Sequence, residues 1–246
     1  STHNGVTDLV EPCARIIAGL HTAVSCDRDD TASTVAPNMP WPAALAVGAD
    51  LPAVGGLQLL ELDGPTSASG AFATEISFAL PVTPPPPGLT ARELTIEAHI
   101  MPHPTPGTDR VGLLLAFAQA ARRMDAEQIF APFGVGAYHV VLPIWVSPDR
   151  RELVPGCLTG AHFETLAQVL PEAVADVKQR AGAKELVVAA ALPKTLALAL
   201  GWGLAQRGCQ FFAGTHLLLF DGDGRPYQPV RAHPSQPTTT SRLDPS

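Results

Sequence analysis

Cysteine, charge and aromatic residues are all scarce in this sequence of 246 residues. Charged residues make up 16% and aromatic residues 6%, and the four cysteines, Cys13, Cys26, Cys157 and Cys209, are far apart. Their spacing provides no C-x-x-C pair, which argues against a disulfide framework or a zinc site. We therefore expect no metal ion and no cofactor.

Long apolar runs and a surplus of positive charge are also missing. No apolar segment reaches the length of a membrane span, and the sequence opens Ser-Thr-His-Asn without a charged-then-apolar leader. We therefore expect a cytoplasmic protein without a membrane partner. The formal net charge of −7 argues against binding to long nucleic acid, since such binding needs a broad basic surface. A small anionic ligand is still compatible with this charge, because a few local donors can hold it.

Apolar residues are abundant, at 46%, and they are accompanied by 21 glycines and 25 prolines. This composition excludes a coiled coil, a collagen repeat and a highly charged disordered chain. It predicts a globular α/β fold with many turns. The length fits one large or two small compact units.

The secondary structure is predicted from short apolar runs bounded by glycine, proline or charge. Strands are expected at 57–62, 74–80, 93–101, 137–146, 186–192, 216–220 and 225–231. Helices are expected at 9–20, 110–124, 159–180 and 196–207. The segment 1–55 is interpreted as a lead-in or linker because much of it is polar and rich in proline, and residues 233–246 as a disordered tail because they lack apolar content.

Two strand–loop–helix units stand out in this pattern. The first joins strand 93–101 to helix 110–124, and the second joins strand 186–192 to helix 196–207. The repetition predicts a duplicated, Rossmann-like arrangement with a first lobe at 56–150 and a second at 151–232. Ligands of such sheets bind beyond the carboxyl ends of the strands, so the loops 102–110 and 193–195 are the candidate sites.

The loop Pro193-Lys194-Thr195 is the strongest local feature of the sequence. It places a lysine and a hydroxyl in the first turn of a helix, where unpaired backbone N–H groups and the helix dipole favour an anion such as phosphate. The alternative is a capped helix with a solvated lysine, and the residues alone do not decide between the two. In the first loop, His103 is either a ligand contact or a solvated histidine.

Other motifs provide little chemistry. The sequence has neither a P-loop nor a hydrolase nucleophile elbow, and no cluster of residues suggests a catalytic set. Gly201 and Gly203 lie inside a predicted helix, where each glycine costs roughly 1 kcal/mol relative to alanine. We expect that the close approach of another backbone offsets this cost.

The last part of the sequence, 185–231, resembles the SAVED domain, the ligand-sensing module of bacterial CBASS and type III CRISPR antiviral systems. The resemblance rests on a buried strand ending in Pro193, a small-residue helix with an internal glycine, a strand reading Leu-Leu-Leu-Phe-Asp at 217–221, and the closing Tyr-Gln-Pro-Val at 227–230. Over residues 56–180 only the architecture is similar.

The resemblance implies two fused CARF-like lobes with a pseudo-twofold relation that bind a cyclic oligonucleotide, with cyclic tri-adenylate the expected ligand. Pro193, Lys194 and Thr195 would hold one phosphate, and Arg110 and Thr108 another, while His103 would contact a base or phosphate of the ligand. Binding would drive self-association and activate an effector located in another domain or protein, so no enzymatic activity is expected here.

Two other classes of function are still open at this point. One is a ring-nuclease-like enzyme that cleaves the cyclic oligonucleotide, and the other is a protein-interaction domain without a small ligand. The absence of a catalytic cluster argues against the enzyme, and the net negative charge favours the protein-interaction domain. Five basic residues of the second unit lie within 30 residues of one another and leave room for a small cyclic anion despite that charge. They are Lys178, Arg180, Lys184, Lys194 and Arg207.

Overall fold

The computed structural model of the chain describes residues 2–3, 6–26, 33–51, 57–62, 75–80, 94–100, 109–117, 124–145, 159–220 and 227–238. The strands are β1 (Thr2–His3), β2 (Val6–Asp8), β3 (Ser33–Val35), β4 (Leu57–Leu62), β5 (Glu75–Leu80), β6 (Leu94–Ile100), β7 (Arg110–Ala116), β8 (Ala137–Trp145), β9 (Glu185–Ala191), β10 (Thr215–Leu219) and β11 (Gln228–Arg231). The helices are α1 (Val10–Cys26), α2 (Trp41–Asp50), α3 (Ala126–Phe130), α4 (Gly160–Ala181) and α5 (Lys194–Gln206), and a 3-10 turn (Ala131–Phe133) follows α3.

Eight of these strands form one sheet in the order β1-β2-β11-β10-β9-β7-β8-β6. The inner strands β10, β9, β7 and β8 are mutually parallel, whereas β6 and β11 run antiparallel to their neighbours. The prediction that the unbroken apolar run at 186–192 is a central parallel strand is confirmed, because β9 lies between two parallel partners. The remaining strands, β3, β4 and β5, form a separate sheet.

The prediction of a helix at 110–124 is wrong. The segment begins with β7, which is buried along nearly its whole length between β8 and β9. An apolar run of this kind fits a buried strand or a buried helix equally well, and periodicity cannot separate them. The glycine at 112 fits the strand, because a Cβ there would lie 2.8 Å from Tyr138 and 2.9 Å from the ring of Phe130.

The alternation of side chains along the central strands creates two apolar faces. Helices α2, α4 and α5 cover one face, to which Leu113, Val188 and Leu217 belong. The helix α3 packs on the other face, which includes Leu114 and Leu218. Both faces of the parallel strands are therefore buried, as expected for a sheet of this type.

The segment 1–55 is part of the fold, so its interpretation as a lead-in or linker is wrong. The first eight residues of α2 are buried, and β2 pairs with β11 at the side of the large sheet. Arg231 of β11 also contacts Asp8 of β2 at 3.3 Å. The proline-rich stretch misled the interpretation, since Pro40 and Pro42 mark the beginning of a helix, where proline is well tolerated.

Helices α2 and α5 approach each other very closely, which confirms the expected role of the helix glycine Gly201. A Cβ at Gly201 would lie 2.0 Å from the carbonyl oxygen of Leu45, and one at Gly48 would lie 2.0 Å from that of Leu198. Gly203 faces the ring of Pro171 in α4 instead. Position 201 therefore requires glycine because the backbone of α2 lies against it, and position 203 requires glycine because the side chain of Pro171 lies against it.

The prediction of a disordered tail is wrong for the part of it that the structure describes. Gln236 is buried; its side-chain amide donates to the carbonyl groups of Thr215 and Val230 and accepts from the backbone of Ala232 and His233. Residues 239–246 lie outside the described part of the chain.

The predicted α/β class is confirmed, but a division into two related lobes stays a prediction. Strands β6, β7 and β8 of the expected first lobe share one sheet with β9, β10 and β11 of the expected second lobe, whereas β4 and β5 of the first lobe lie in the separate sheet, and the boundary at 150 falls outside the described residues. No helix within the described ranges is long and apolar enough to cross a bilayer.

Candidate functional site

The carboxyl ends of the four parallel strands define one edge of the large sheet, here called the carboxyl edge. Pro193, Lys194 and Thr195 follow β9 at this edge, and Phe220 follows β10. The opposite edge, where these strands begin, is called the amino edge. Because ligands of open α/β sheets bind outside the carboxyl ends, the carboxyl edge is the first candidate for a site.

The start of α5 already has an anionic partner from within the chain. Pro193 is the N-cap and makes no side-chain capping bond. Instead, Glu61 of β4 accepts hydrogen bonds through Oε2 from the backbone N of Thr195 at 2.9 Å and from its Oγ1 at 2.5 Å. Thr195 is 0% exposed. A carboxylate therefore occupies the position that the sequence suggested for a phosphate.

Lys194 lies at the same edge with its ammonium group exposed. Its Nζ donates to Oδ1 of Asn38 at 3.1 Å, and in the described part of the chain no carboxylate lies within ion-pair distance of it. Asn38 is neutral, so the contact positions the lysine without cancelling its charge. Lys194 is thus available to a ligand, whereas Thr195 is not.

Two helices begin at this edge. Asn38, just before α2, contacts Lys194, while Asp50 at the end of α2 contacts His233 at 3.3 Å. His233 in turn stacks on Phe212, which follows α5. Helices α2 and α5 therefore run side by side in the same direction. Their positive dipole ends meet near Lys194, which favours negative charge there.

Phe220 adds an aromatic surface to the carboxyl edge. It is 52% exposed, and among the described residues it is the one large apolar residue that is exposed. Its ring lies 5.2 Å from that of Tyr227, and burial raises the pKa of Tyr227. The parallel register pairs Leu218 of β10 with Ala189 of β9, so Phe220 follows β10 at the same edge at which β9 ends.

The amino edge has a different character because its partly buried charged groups contact one another. Arg110 contacts Oε2 of Glu185 through Nε at 3.0 Å and donates through a second nitrogen to the carbonyl oxygen of Phe133 at 2.7 Å. His216 Nε2 lies 3.5 Å from the same oxygen of Glu185. Partial burial acts to raise the pKa of Glu185, but the hydrogen bond from Arg110 and the charges around it hold that pKa below its ordinary value. Burial lowers the pKa of His216, which Glu185 only partly offsets.

The fold separates Arg110 from Lys194, so the expectation that one ligand spans both is wrong. The register pairs Arg110 with Glu185 at the amino edge, and Ala116 with Ala191 at the carboxyl edge. The seven-residue strand between these edges is about 20 Å long. The error follows from predicting a helix at 110, since a helix there would begin at a carboxyl end. Lys178, at the end of α4, also lies at the amino edge, as does Glu185 at the start of β9. Because Lys194 lies at the carboxyl edge, the basic residues of the second unit do not form one cluster.

Thr108 and His103 lie outside the described residues. The assignment of ligand binding to Pro193, Lys194 and Thr195 remains a prediction. Because Thr195 is buried, Lys194 is the residue of these three whose charged side chain is accessible to a ligand.

Sequence reasoning missed Asn38, Glu61 and Phe220. Glu61 leaves a signal in the strand reading LQLLEL, because it shares a face with Leu57 and Leu59, both buried. A carboxylate on the buried face of a strand needs a hydrogen-bond partner. Asn38 and Phe220 leave no comparable signal, since only the fold brings them to this edge.

Solved structures of known proteins share this fold. Two of them are of the Acinetobacter baumannii Cap4 SAVED/CARF-domain containing receptor, one with the cyclic trinucleotide 2'3'3'-cAAA and one with 3'3'3'-cAAA. Each is 11% identical to this chain and covers 87% of it, with TM-scores of 0.50 and 0.52, respectively. This chain spans 41% of the length of each structure. No protein-family model and no curated protein matches the sequence.

These matches confirm the resemblance at the level of the fold. The chain has an α/β fold of the SAVED/CARF type, with a sheet rich in parallel strands and helices packed against it.

Proposed function

We propose that this chain is a sensor domain that binds a cyclic oligonucleotide at the carboxyl edge of its sheet, with a cyclic trinucleotide such as cyclic tri-adenylate as the ligand. The observation that carries the proposal is the position of the exposed, uncompensated ammonium of Lys194 at the carboxyl edge of a fold that it shares with receptors solved with cyclic trinucleotides. A phosphodiester is the anion that this ammonium would bind.

The chemistry of the carboxyl edge fits a small nucleotide. Lys194 and the two helix ends favour one negative charge, and Phe220 offers a ring on which a base can stack. The net charge of −7 keeps longer polyanions away from the rest of the surface. A compact ligand with few phosphates can use the local charge without meeting this repulsion.

We further propose that binding drives self-association in the cytoplasm and activates an antiviral effector of the CBASS or type III CRISPR kind. The effector would lie in another domain or another protein. Ligand binding can shift an assembly equilibrium only if the assembled state holds the ligand more tightly. Sedimentation velocity with and without cyclic tri-adenylate measures this directly: larger species in the presence of ligand support the proposal, and an unchanged distribution opposes it.

Isothermal titration with cyclic tri-adenylate tests the proposed site. We expect Lys194→Ala to raise the Kd on the order of tenfold, since a hydrogen bond to a charged group is worth about 1.5–3 kcal/mol. Lys184→Ala is the matched control, because Lys184 is an exposed lysine at the amino edge. Equal affinity of the wild type and Lys194→Ala would remove Lys194 from the site.

The aromatic part of the site has its own variants. Phe220→Leu keeps the apolar volume but loses the ring face, so it should weaken binding, whereas Phe220→Tyr should preserve it. If both variants bind like the wild type, the base does not stack on Phe220.

The proposed sensor has no catalytic role. Incubation of the protein with cyclic tri-adenylate, followed by chromatography, should return the cyclic ligand unchanged. Linear product would favour a ring nuclease instead. The absence of thermal stabilisation by any cyclic oligonucleotide would favour a protein-interaction domain, since a ligand at a hundred times its Kd stabilises a protein by about 2.7 kcal/mol.

A further inference from the structure

Glu61 is a carboxylate that the fold holds in one position beside the proposed site. It projects from the same face of β4 as the buried Leu57 and Leu59, and Oε2 receives both the backbone N–H and the hydroxyl of Thr195. The side chain of Glu61 is itself only partly buried. Glu61 is thus fixed by two donors while part of it still faces outward.

The position of Glu61 bars a phosphate from the start of α5. Thr195 is fully buried, and both of its donors are already used by a carboxylate. A second anion would have to displace that carboxylate or lie against it, and like charges at close range repel each other. Any phosphate at this edge is therefore directed to the exposed Nζ of Lys194.

The same carboxylate can still accept a hydrogen bond. A carboxylate offers about four lone-pair positions, and Thr195 uses two of them on Oε2. A cyclic oligonucleotide has two kinds of hydrogen-bond donor, the ribose hydroxyl groups and the exocyclic amino groups of its bases, while its phosphodiesters have none. An acceptor that is already held in place loses little entropy when it binds such a donor.

We propose that Glu61 is a specificity-determining residue of this site: it excludes phosphate from the start of α5 and accepts a hydrogen bond from a hydroxyl or amino group of the ligand. This inference rests on the proposed binding of a cyclic oligonucleotide. It assigns Lys194 to the phosphate and Glu61 to a neutral donor, so two neighbouring residues recognise different parts of the same nucleotide.

The test is titration of Glu61→Gln with cyclic tri-adenylate. Glutamine can keep an oxygen toward Thr195 but places an NH₂ group where the second carboxylate oxygen was. We expect the Kd to rise on the order of tenfold. Glu172→Gln on α4 is the matched control, because Glu172 is exposed. Tighter binding by Glu61→Gln would show that the carboxylate competes with the ligand and would overturn the inference. Unchanged Kd with a lowered melting temperature would also overturn it, because Glu61 would then only cap α5.

Ligand analogues provide a readout that a purely structural role of Glu61 would not change. The analogues are the 2'-deoxy cyclic trinucleotide and a cyclic trinucleotide of purine riboside, which lacks the amino group. One analogue should bind the wild type more weakly than cyclic tri-adenylate does, by about the factor by which Glu61→Gln weakens the binding of cyclic tri-adenylate. The same analogue should bind the wild type and Glu61→Gln with equal affinity. That analogue identifies the donor. If the wild type binds both analogues as tightly as cyclic tri-adenylate, Glu61 reads neither group and the inference fails.

The outcomes also separate this inference from the proposed function. Binding of cyclic tri-adenylate by the wild type with no effect at Glu61 leaves the sensor proposal standing and removes Glu61 from it. No binding by the wild type overturns both.

Discussion

The two edges of the large sheet use charge in opposite ways. At the amino edge, the guanidinium of Arg110 forms an ion pair with Glu185 and donates to a backbone carbonyl. At the carboxyl edge, Lys194 contacts only a neutral amide among the described residues. Charges that the fold satisfies stabilise the structure, while a charge that the fold leaves uncompensated is available to a ligand. The comparison therefore assigns stability to one edge and recognition to the other.

The largest expected effect concerns the packing that brings α2 and α5 together at the carboxyl edge. Gly201→Ala should lower the free energy of unfolding by roughly 2–4 kcal/mol, because its Cβ would meet the carbonyl of Leu45. Gly19→Ala is the control, since nothing lies within 4 Å of a Cβ there and alanine favours a helix. Chemical denaturation measures both variants. Equal stability of Gly201→Ala and the wild type would mean that the two helices can separate at little cost.

The next effect separates the two edges directly. Arg110→Ala should lower the free energy of unfolding by about 1–3 kcal/mol, because it leaves Glu185 and the carbonyl of Phe133 without a strong donor. Arg180→Ala, which breaks an exposed pair with Asp176, should cost less than about 0.5 kcal/mol.

The affinity of Arg110→Ala for the ligand also tests the difference between the two edges. The affinity of Arg110→Ala for cyclic tri-adenylate should equal that of the wild type under conditions where both are folded. A loss of affinity without a loss of stability would place Arg110 in the ligand site and break the assignment of the amino edge to stability.

A smaller effect is expected from pH at the amino edge. The folded pKa of His216 is lowered from 6.5 because burial disfavours the charged ring. The unfolded chain therefore takes up a proton near pH 6.5 while the folded chain does not, so stability that is present above this pH is lost as the pH falls. Lys178, Arg110 and Glu185 are the charged groups that act on His216, and the first two also disfavour its protonation.

Denaturation at pH 7.5 and 5.5 measures this contribution. His216→Gln should reduce the loss of stability between these two values, because glutamine takes up no proton in either the folded or the unfolded chain. His21→Gln, at an exposed position of α1, should leave the loss unchanged. An identical pH dependence of His216→Gln and the wild type would show that His216 is not a buried neutral histidine.

Much of the fold could be predicted from the sequence because it depends on local pattern. The buried strand at 186–192 and the amphipathic helix at 159–180 were recognisable from periodicity, and the glycine at 201 indicated close packing. The strand β7 could not be distinguished from a helix, because a central strand and a buried helix are both apolar throughout. That single error moved Arg110 to the wrong edge of the sheet.

The candidate site was predictable only in part, since most of it depends on contacts between distant segments. Lys194 could be found because it follows a buried strand directly. Asn38 and Glu61 reach the same place from 156 and 134 residues away, respectively, in hydrogen bonds to Lys194 and Thr195. The start of α5 indicated an affinity for an anion, but only the fold shows that the chain supplies the anion itself.

Hydrogen exchange with and without cyclic tri-adenylate tests the division between the two edges most directly. The ligand should slow exchange at short times around 192–196 and 219–220, at the carboxyl edge, and should leave exchange at 109–111 and 184–186 unchanged. Protection around Arg110 and Glu185, with none around Lys194, would contradict this division.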